Sequence, residues 1–240
     1  MSARVERLRA PCPVGACDGS GWIVDADEVA HPCECRERRL AQARARGVNQ
    51  TLPARYRSVS LDAPPVSDMA RDPRSRAAVA RVRAYLDELD ANLAEGRGLW
   101  LMGDVGTGKT TLAMLVARTA IEAGRSVAIY SLPRLLARIR RTYDAATRED
   151  SYLPFFERLT SVDLLHVDDL GAEKSSDWVL EQLYSIVDER YQAQRAMVVT
   201  TNLGADQLEE QIGPRIVSRL TEVCGDPLLM FGDDLRYRVA

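Results

Sequence analysis

Lysine is almost absent from this chain: two stand in 240 residues, Lys109 and Lys174, against thirty arginines. A retained lysine therefore asks for a chemical reason. Long apolar runs are missing as well, and none approaches the ~18 residues that would span a bilayer. The opening MSARVERLRA is charged and has no apolar core behind it, so a secretory leader is not expected and a cytoplasmic protein is. There is no basic excess. Net charge is −3, and any contact with nucleic acid must come from a local patch rather than from the whole surface. Repeats and low-complexity segments are also lacking. Cysteine is sparse and unevenly spread, with Cys12, Cys17, Cys33 and Cys35 near the start and Cys224 far away. In a reducing compartment such clustering argues for a metal rather than for disulfides.

What is present begins with GDVGTGKT at 103–110, which fits G-x-x-x-x-G-K-[ST]. An apolar run (99–102) precedes it and a helix-compatible run (111–117) follows, the context this phosphate-binding loop requires. Gly103, Gly106 and Gly108 let backbone N–H groups turn inward, so that Asp104, Val105, Thr107 and Thr111 complete a cradle at a helix N-terminus. Lys109 is placed to reach β- and γ-phosphates, and the Thr110 hydroxyl to hold Mg²⁺.

The size and 46% apolar content suit one ordinary domain plus a small module. Residues 1–48 form that module, ending in a short helix before Gly47. Residues 49–72, with Pro53, Pro64 and Pro65, read as a linker. A helix opens at Asp72–Pro73 and carries Val79, Val82, Leu86, Leu89 and Leu93 to a stop at Gly96. Thereafter strand-like runs at 98–102, 126–130, 162–167 and 196–201 alternate with helical stretches at 109–123, 133–148 and 176–193. That order predicts an α/β fold over 73–240, a parallel sheet covered by helices on both faces.

LLHVDDLG at 164–171 delivers two carboxylates at a strand's end. Asp168 suits support of Mg²⁺, and Asp169 suits orienting or deprotonating an attacking water; a solvated Asp pair at a turn is the plainer reading. His166 fits a packed core position. The run MVVTTN ends in Asn202, which either positions water or starts a turn. In GPRIVSRL at 213–220, Arg215 and Arg219 share a helical face. They suit either a neighbour's γ-phosphate or ordinary solvent.

Taken in order, GDVGTGKT, DLLHVDDLGAEK, VVTTNL, GPRIVSRL and FGDDLR resemble the AAA+ ATPases of the DnaC/DnaI helicase-loader group, with the transposon helper ATPase IstB similar. The resemblance covers about residues 53–240. It implies an AAA+ core in which Lys109, Thr110, Asp168 and Asp169 bind and hydrolyse ATP. It makes Asn202 sensor 1, Arg219 an arginine finger with Arg215 beside it, and Arg236 a sensor 2 position. Asp169 stands where many AAA+ proteins carry Glu, and a shorter carboxylate implies slow hydrolysis. Only thirty-eight residues follow Asn202, which leaves little or no lid. There is no NKxD guanine motif and no ABC-type signature, so ATP is favoured over GTP.

Cys12-x4-Cys17 and Cys33-x-Cys35 can supply four thiolates to a tetrahedral Zn²⁺, with metal binding contributing folding energy to a module with little core. His31 is badly placed to replace one of them, and Cys224 reads as an ordinary buried thiol. By the resemblance, the zinc module grips a DnaB-type replicative helicase, and the protein assembles as a homo-oligomer through its ATP interface. Arg134, Arg138, Arg141 and Arg148 fall on one face of the helix after the second strand, opposite Leu135, Leu136, Ile139 and Tyr143. Such a stripe suits single-stranded DNA, and equally a solvated face. Two further functions stay open: an IstB-like transposition helper, and an ATP-binding adaptor with negligible turnover.

Overall fold

The computed structural model describes residues 12–44, 51–143, 151–171, 176–232 and 234. Arg148, Arg236 and Lys174 lie outside the described residues.

Among the described residues the first elements are a hairpin, β1 (Trp22–Val24) and β2 (Ala30–Pro32), followed by α1 (Cys35–Arg44). The hairpin turn is held by Asp25, whose Oδ1 accepts from the N–H groups of Asp27 and Val29. Both strands are exposed along their length. What this module buries is mostly its sulfur: Cys33 and Cys35 are each 2% exposed, with Ala41 beside them.

The expected linker is packed structure. A 3-10 turn, Ala54–Tyr56, and α2 (Val66–Arg71) lie within it, and Tyr56, Val59, Val66 and Met69 are buried in one of the two core clusters. The prolines there start and bound short elements rather than mark loose chain, since a proline's missing N–H costs nothing at a helix's first turn.

The helix expected over 73–95 is two: α3 (Arg76–Asp87) and α4 (Leu89–Ala94). Glu88 between them leaves helical backbone (φ −114°, ψ 29°). Asn92 explains how the break is tolerated: its Nδ2 donates to the Tyr85 carbonyl at 2.9 Å, replacing a bond the helix would have made.

Five parallel strands follow: β3 (Leu99–Gly103), β4 (Val127–Ser131), β5 (Leu164–Asp168), β6 (Ala196–Thr201) and β7 (Leu228–Met230). Their order in the sheet is β4-β5-β6-β3-β7. The connections are α5 (Lys109–Glu122), then α6 (Leu132–Tyr143) and α7 (Tyr152–Ser161), then α8 (Asp177–Gln192), then α9 (Ala205–Ile212) and α10 (Pro214–Cys224). Successive strand residues point to opposite faces. Leu99 and Leu101 accordingly enter the core with α3 and α5, whereas Trp100 and Met102 enter the core with α6 to α10. Burial on both faces is why these strands read as continuous apolar runs. Pro154 sits in the first turn of α7, where it is tolerated, and β7 is only three residues long; neither element is among the sequence expectations.

Arg190 of α8 is fully buried. It donates to the carbonyls of Leu159, Thr160, Val162, Asp163 and Ala196. Those groups are the orphan C-terminus of α7 and the starts of β5 and β6. One side chain thus closes the open ends of three elements.

Candidate nucleotide cleft and cysteine cluster

The P-loop joins the carboxyl end of β3, which lies between β6 and β7, to α5; open α/β sheets place their ligands at the carboxyl ends of their strands. Gly103 shows why glycine is required. A Cβ there would stand 1.9 Å from the Met230 carbonyl oxygen. Gly108 caps α5 in left-handed backbone, φ 96°. Thr107 closes the loop on itself, its hydroxyl donating to the Asp104 carbonyl at 2.8 Å. Lys109 is 5% exposed, and its ammonium donates to the carbonyls of Gly103 at 2.8 Å and Asp104 at 2.6 Å. Burial pulls its pKa below the ordinary lysine value, opposed by the charges of Asp169, Asp104 and Asp168.

Opposite the loop stand the carboxylates that end β5. Thr110 Oγ1 donates to Asp168 Oδ1 at 3.0 Å, linking residues 58 apart in sequence. Thr200 of β6 donates to the same oxygen at 2.7 Å and accepts the Asp169 N–H at 2.9 Å. The Thr201 hydroxyl donates to the Leu170 carbonyl at 2.8 Å. The two threonines fasten the turn after β5 to its neighbour strand. Asp169 has left-handed backbone, φ 58°, a conformation aspartate tolerates better than bulkier residues. Burial and then the Asp168 charge raise its carboxyl above the ordinary range, while Lys109 and an Asn202 amide at 3.4 Å act the other way. A hydroxyl and two carboxylates in one place are the hard oxygen donors that Mg²⁺ takes, so the residues present fit that ion.

One cleft of about 380 Å³ brings together Val105, Gly106, Gly108, Lys109, Thr110, Thr111, Asp168, Asp169 and Asn202. Arg55 and Tyr56, from the stretch expected to be linker, line it too, with the Arg55 guanidinium 4.5 Å over the Tyr56 ring. Only the fold reveals them, and likewise Thr200, because nothing local marks them.

Arg215 and Arg219 are not in this cleft. They line a second hollow with Tyr184, Pro214, Ser218 and Glu222. Arg219 is pinned there: Asp188 and Glu222 each lie 3.3 Å away, and its guanidinium sits 4.1 Å over the Tyr191 ring. On α6, Arg134 and Arg141 are exposed, whereas Arg138 is half-buried over Phe155. Tyr143, expected on the apolar face, is 54% exposed and stacks on Tyr152 at 5.4 Å. The face turned inward ends in Thr142 instead.

The four N-terminal cysteines converge. Their sulfur atoms lie within 4.8 Å of one another, with Cys12–Cys33 at 3.8 Å and Cys17–Cys35 at 3.6 Å. Those separations are far beyond a disulfide's ~2.05 Å. They match the ~3.8 Å edge of a tetrahedron built on Zn–S bonds of ~2.3 Å, so the donor set fits zinc. Burial opposes ionisation of Cys12, yet the N–H groups of Cys17, Val14 and Ala16 hold its thiol down at about 6. Burial and the neighbouring sulfurs push Cys35 up to about 12. Only a cation makes four thiolates compatible in one place. His31 pairs with Asp25 at 2.6 Å, and Cys224 is buried against the Met197 carbonyl.

Comparison with known proteins agrees with this geometry. The chain is 28% identical over 144 residues to the replicative helicase loader DnaC of Escherichia coli (strain K12), covering 60% of this chain and 56% of that protein. The chain thus spans a little over half the length of the curated relatives it matches. Its fold is similar to a crystal structure of the DnaC helicase loader (TM-score 0.63, 24% identity, 74% of this chain and 99% of that one). It is also similar to a crystal structure of DnaI (TM-score 0.60, 22% identity, 76% and 93%). Residues 77–225 match the family described as IstB-like ATP binding protein. The matched stretch is more than half of the chain and holds the P-loop, both carboxylates and Asn202, and the protein belongs to that family.

Proposed function

We propose that this chain is an ATP-dependent helicase loader that grips a DnaB-type replicative helicase and helps place it on single-stranded DNA. The observation that carries the proposal is a pairing within one chain. Lys109, Thr110 and Asp168 meet across a cleft at the sheet's carboxyl edge, and a four-thiol cluster sits on a separate hairpin module. The relatives named as helicase loaders support it. Residues 1–48 are proposed as the helicase-binding end and the remainder as the ATPase, working in the cytoplasm.

The chain's own residues divide the work. The P-loop amides and Lys109 receive the β- and γ-phosphates. Thr110 and Asp168 would hold Mg²⁺, which neutralises phosphate charge when bound. Asp169, held above the ordinary carboxylate range by burial, is suited to take a proton from the attacking water while Asn202 orients it. Arg215 and Arg219 line a hollow apart from their own cleft, which suits action on a neighbouring copy's nucleotide in a homo-oligomer. Arg236 is proposed as sensor 2, and Arg134, Arg138, Arg141 and Arg148 as contacts to single-stranded DNA. Cys12, Cys17, Cys33 and Cys35 are proposed to hold Zn²⁺.

The test is capture of the replicative helicase from host lysate with Mg·ATP present, followed by loading onto single-stranded DNA with purified components. Retention of the helicase, lost on Cys33→Ser, is the expected result. Failure to bind the helicase or to alter its loading would overturn the assignment. The family match favours a second reading, an IstB-like transposition helper; recovery of a transposase in place of the helicase would put it first.

A further inference from the structure

Two helices meet beside the second hollow. Asp188, Tyr191 and Gln192 recur at helical spacing on α8, and Arg215, Arg219 and Glu222 on α10, so each set shares one face. The same two helices bury Leu183, Val187, Ile216 and Leu220 in one core cluster. Their polar faces therefore stand on a packed base.

Arg219 is fixed there by groups from both helices. Its Nε lies 3.3 Å from Asp188 Oδ1, its Nη1 lies 3.3 Å from Glu222 Oε1, and its guanidinium covers the Tyr191 ring. Asp188 is itself held: Gln192 Nε2 donates to the other oxygen, Oδ2, at 2.6 Å. Oδ1 is thereby left for the arginine. The two carboxylates are not equivalent. Glu222 is three residues along Arg219's own helix and its side chain is 44% exposed. Asp188 comes from the other helix and is only 19% exposed, so it ties the far end of the arginine to a frame outside α10 and is less screened by solvent. Arg215, one turn earlier on the same face, is exposed and forms no ion pair among the described residues.

Ion pairs on a partly exposed guanidinium add little to stability. What these set is where its atoms stand. A guanidinium carries five N–H donors, so two carboxylate contacts leave donors over for a phosphate, and Arg219 lines a hollow of about 470 Å³. A loose arginine must give up its rotamer freedom to meet a phosphate across an interface, whereas a clamped one has already done so. We propose that Asp188 is a positioning residue for Arg219, holding the guanidinium on Tyr191 so that its remaining N–H groups meet a phosphate oxygen presented by a second copy of this chain. The proposal rests on the reading of Arg219 as acting on a neighbour's nucleotide.

The test places Asp188→Ala in one partner of a mixture at a time. Lys109→Ala protein lacks a working cleft and supplies Arg219; Arg219→Ala protein supplies the cleft. Their mixture, with Mg·ATP and single-stranded DNA, is the reference. Added to the Lys109→Ala partner, Asp188→Ala is expected to lower the recovered turnover about tenfold, with the KM for ATP unchanged because the cleft is intact. Added to the Arg219→Ala partner, the same change has no arginine to act through, and the recovered turnover is expected to stay at the reference value. Asp188→Asn in the Lys109→Ala partner keeps an oxygen acceptor without its charge and is expected to fall between. Equal losses in both mixtures, as a folding defect gives, overturn the positioning role, and so does unchanged or raised turnover when the Lys109→Ala partner carries Asp188→Ala; each leaves the reading of Arg219 standing. No recovery in the reference mixture overturns that reading, and the positioning role with it.

Discussion

His166 lies fully buried on β5, two residues before Asp168. Its Nδ1 is 3.1 Å from the Val198 carbonyl oxygen, so that nitrogen carries the proton and donates it. Its Nε2 has no hydrogen-bond partner among the described residues and stands 3.8 Å from Asp168 Oδ1. Burial holds the imidazole below its ordinary value, partly opposed by the Asp168 charge. The unfolded chain therefore takes up this proton more readily than the folded one. The stability contributed by neutral His166 is complete above about pH 6.5 and is lost as pH falls below it. Denaturant melts without Mg·ATP should show wild type losing stability faster than His166→Asn between about pH 7 and pH 5. Parallel curves would refute burial as the cause. A packed core histidine is what an apolar strand sequence suggests; how near it comes to the Asp168 carboxylate is decided by the fold.

At the scale of elements, Arg190 and the cysteine cluster hold together what apolar packing cannot. Arg190→Met keeps most of the side-chain volume but leaves buried carbonyls at the ends of α7, β5 and β6 without donors. Chemical denaturation should report a loss of at least about 3 kcal/mol, the scale set by several buried unsatisfied groups. Arg190→Lys, with fewer donors and no fork, should fall between the two. The N-terminal module buries little besides its sulfur, so its order is expected to depend on the Zn²⁺ proposed for the cluster. Chelation, or Cys33→Ser, should abolish amide protection over residues 22–41 in hydrogen exchange, while β3 to β6 keep theirs. The elements that escape sequence reading are short or punctuated by proline. α2 follows Pro64–Pro65, α7 carries Pro154 in its first turn, and β7 spans three residues; each exists because a neighbour buries it. The break at Glu88 likewise depends on Asn92 reaching back to Tyr85.

For the molecule as a whole, Arg219 lines a hollow apart from the P-loop cleft, and this bears on the hydrolysis proposed above. The guanidinium is held on its own surface by Asp188, Glu222 and Tyr191, so it serves a neighbour's nucleotide if it serves any. Lys109→Ala and Arg219→Ala should each lose at least about 100-fold in turnover. Mixed together, they should recover part of it, because some interfaces then pair an intact cleft with an intact arginine. A mixture no more active than its components would place Arg219 outside the reaction. GDVGTGKT, the VDD carboxylates and the cysteine spacing are legible from the sequence alone, because each packs its chemistry into a few adjacent residues whose types are dictated by phosphate, Mg²⁺ or zinc. The alternation of strands and helices is legible too, because a parallel sheet buried on both faces needs continuous apolar runs. Arg55 and Tyr56 beside the nucleotide cleft, Thr200 on the Asp168 carboxylate, Arg190 beneath three elements and Asp188 against Arg219 were decided by tertiary structure. Each depends on groups far apart in the chain meeting at a few ångströms, and no local pattern of residue types records such a meeting.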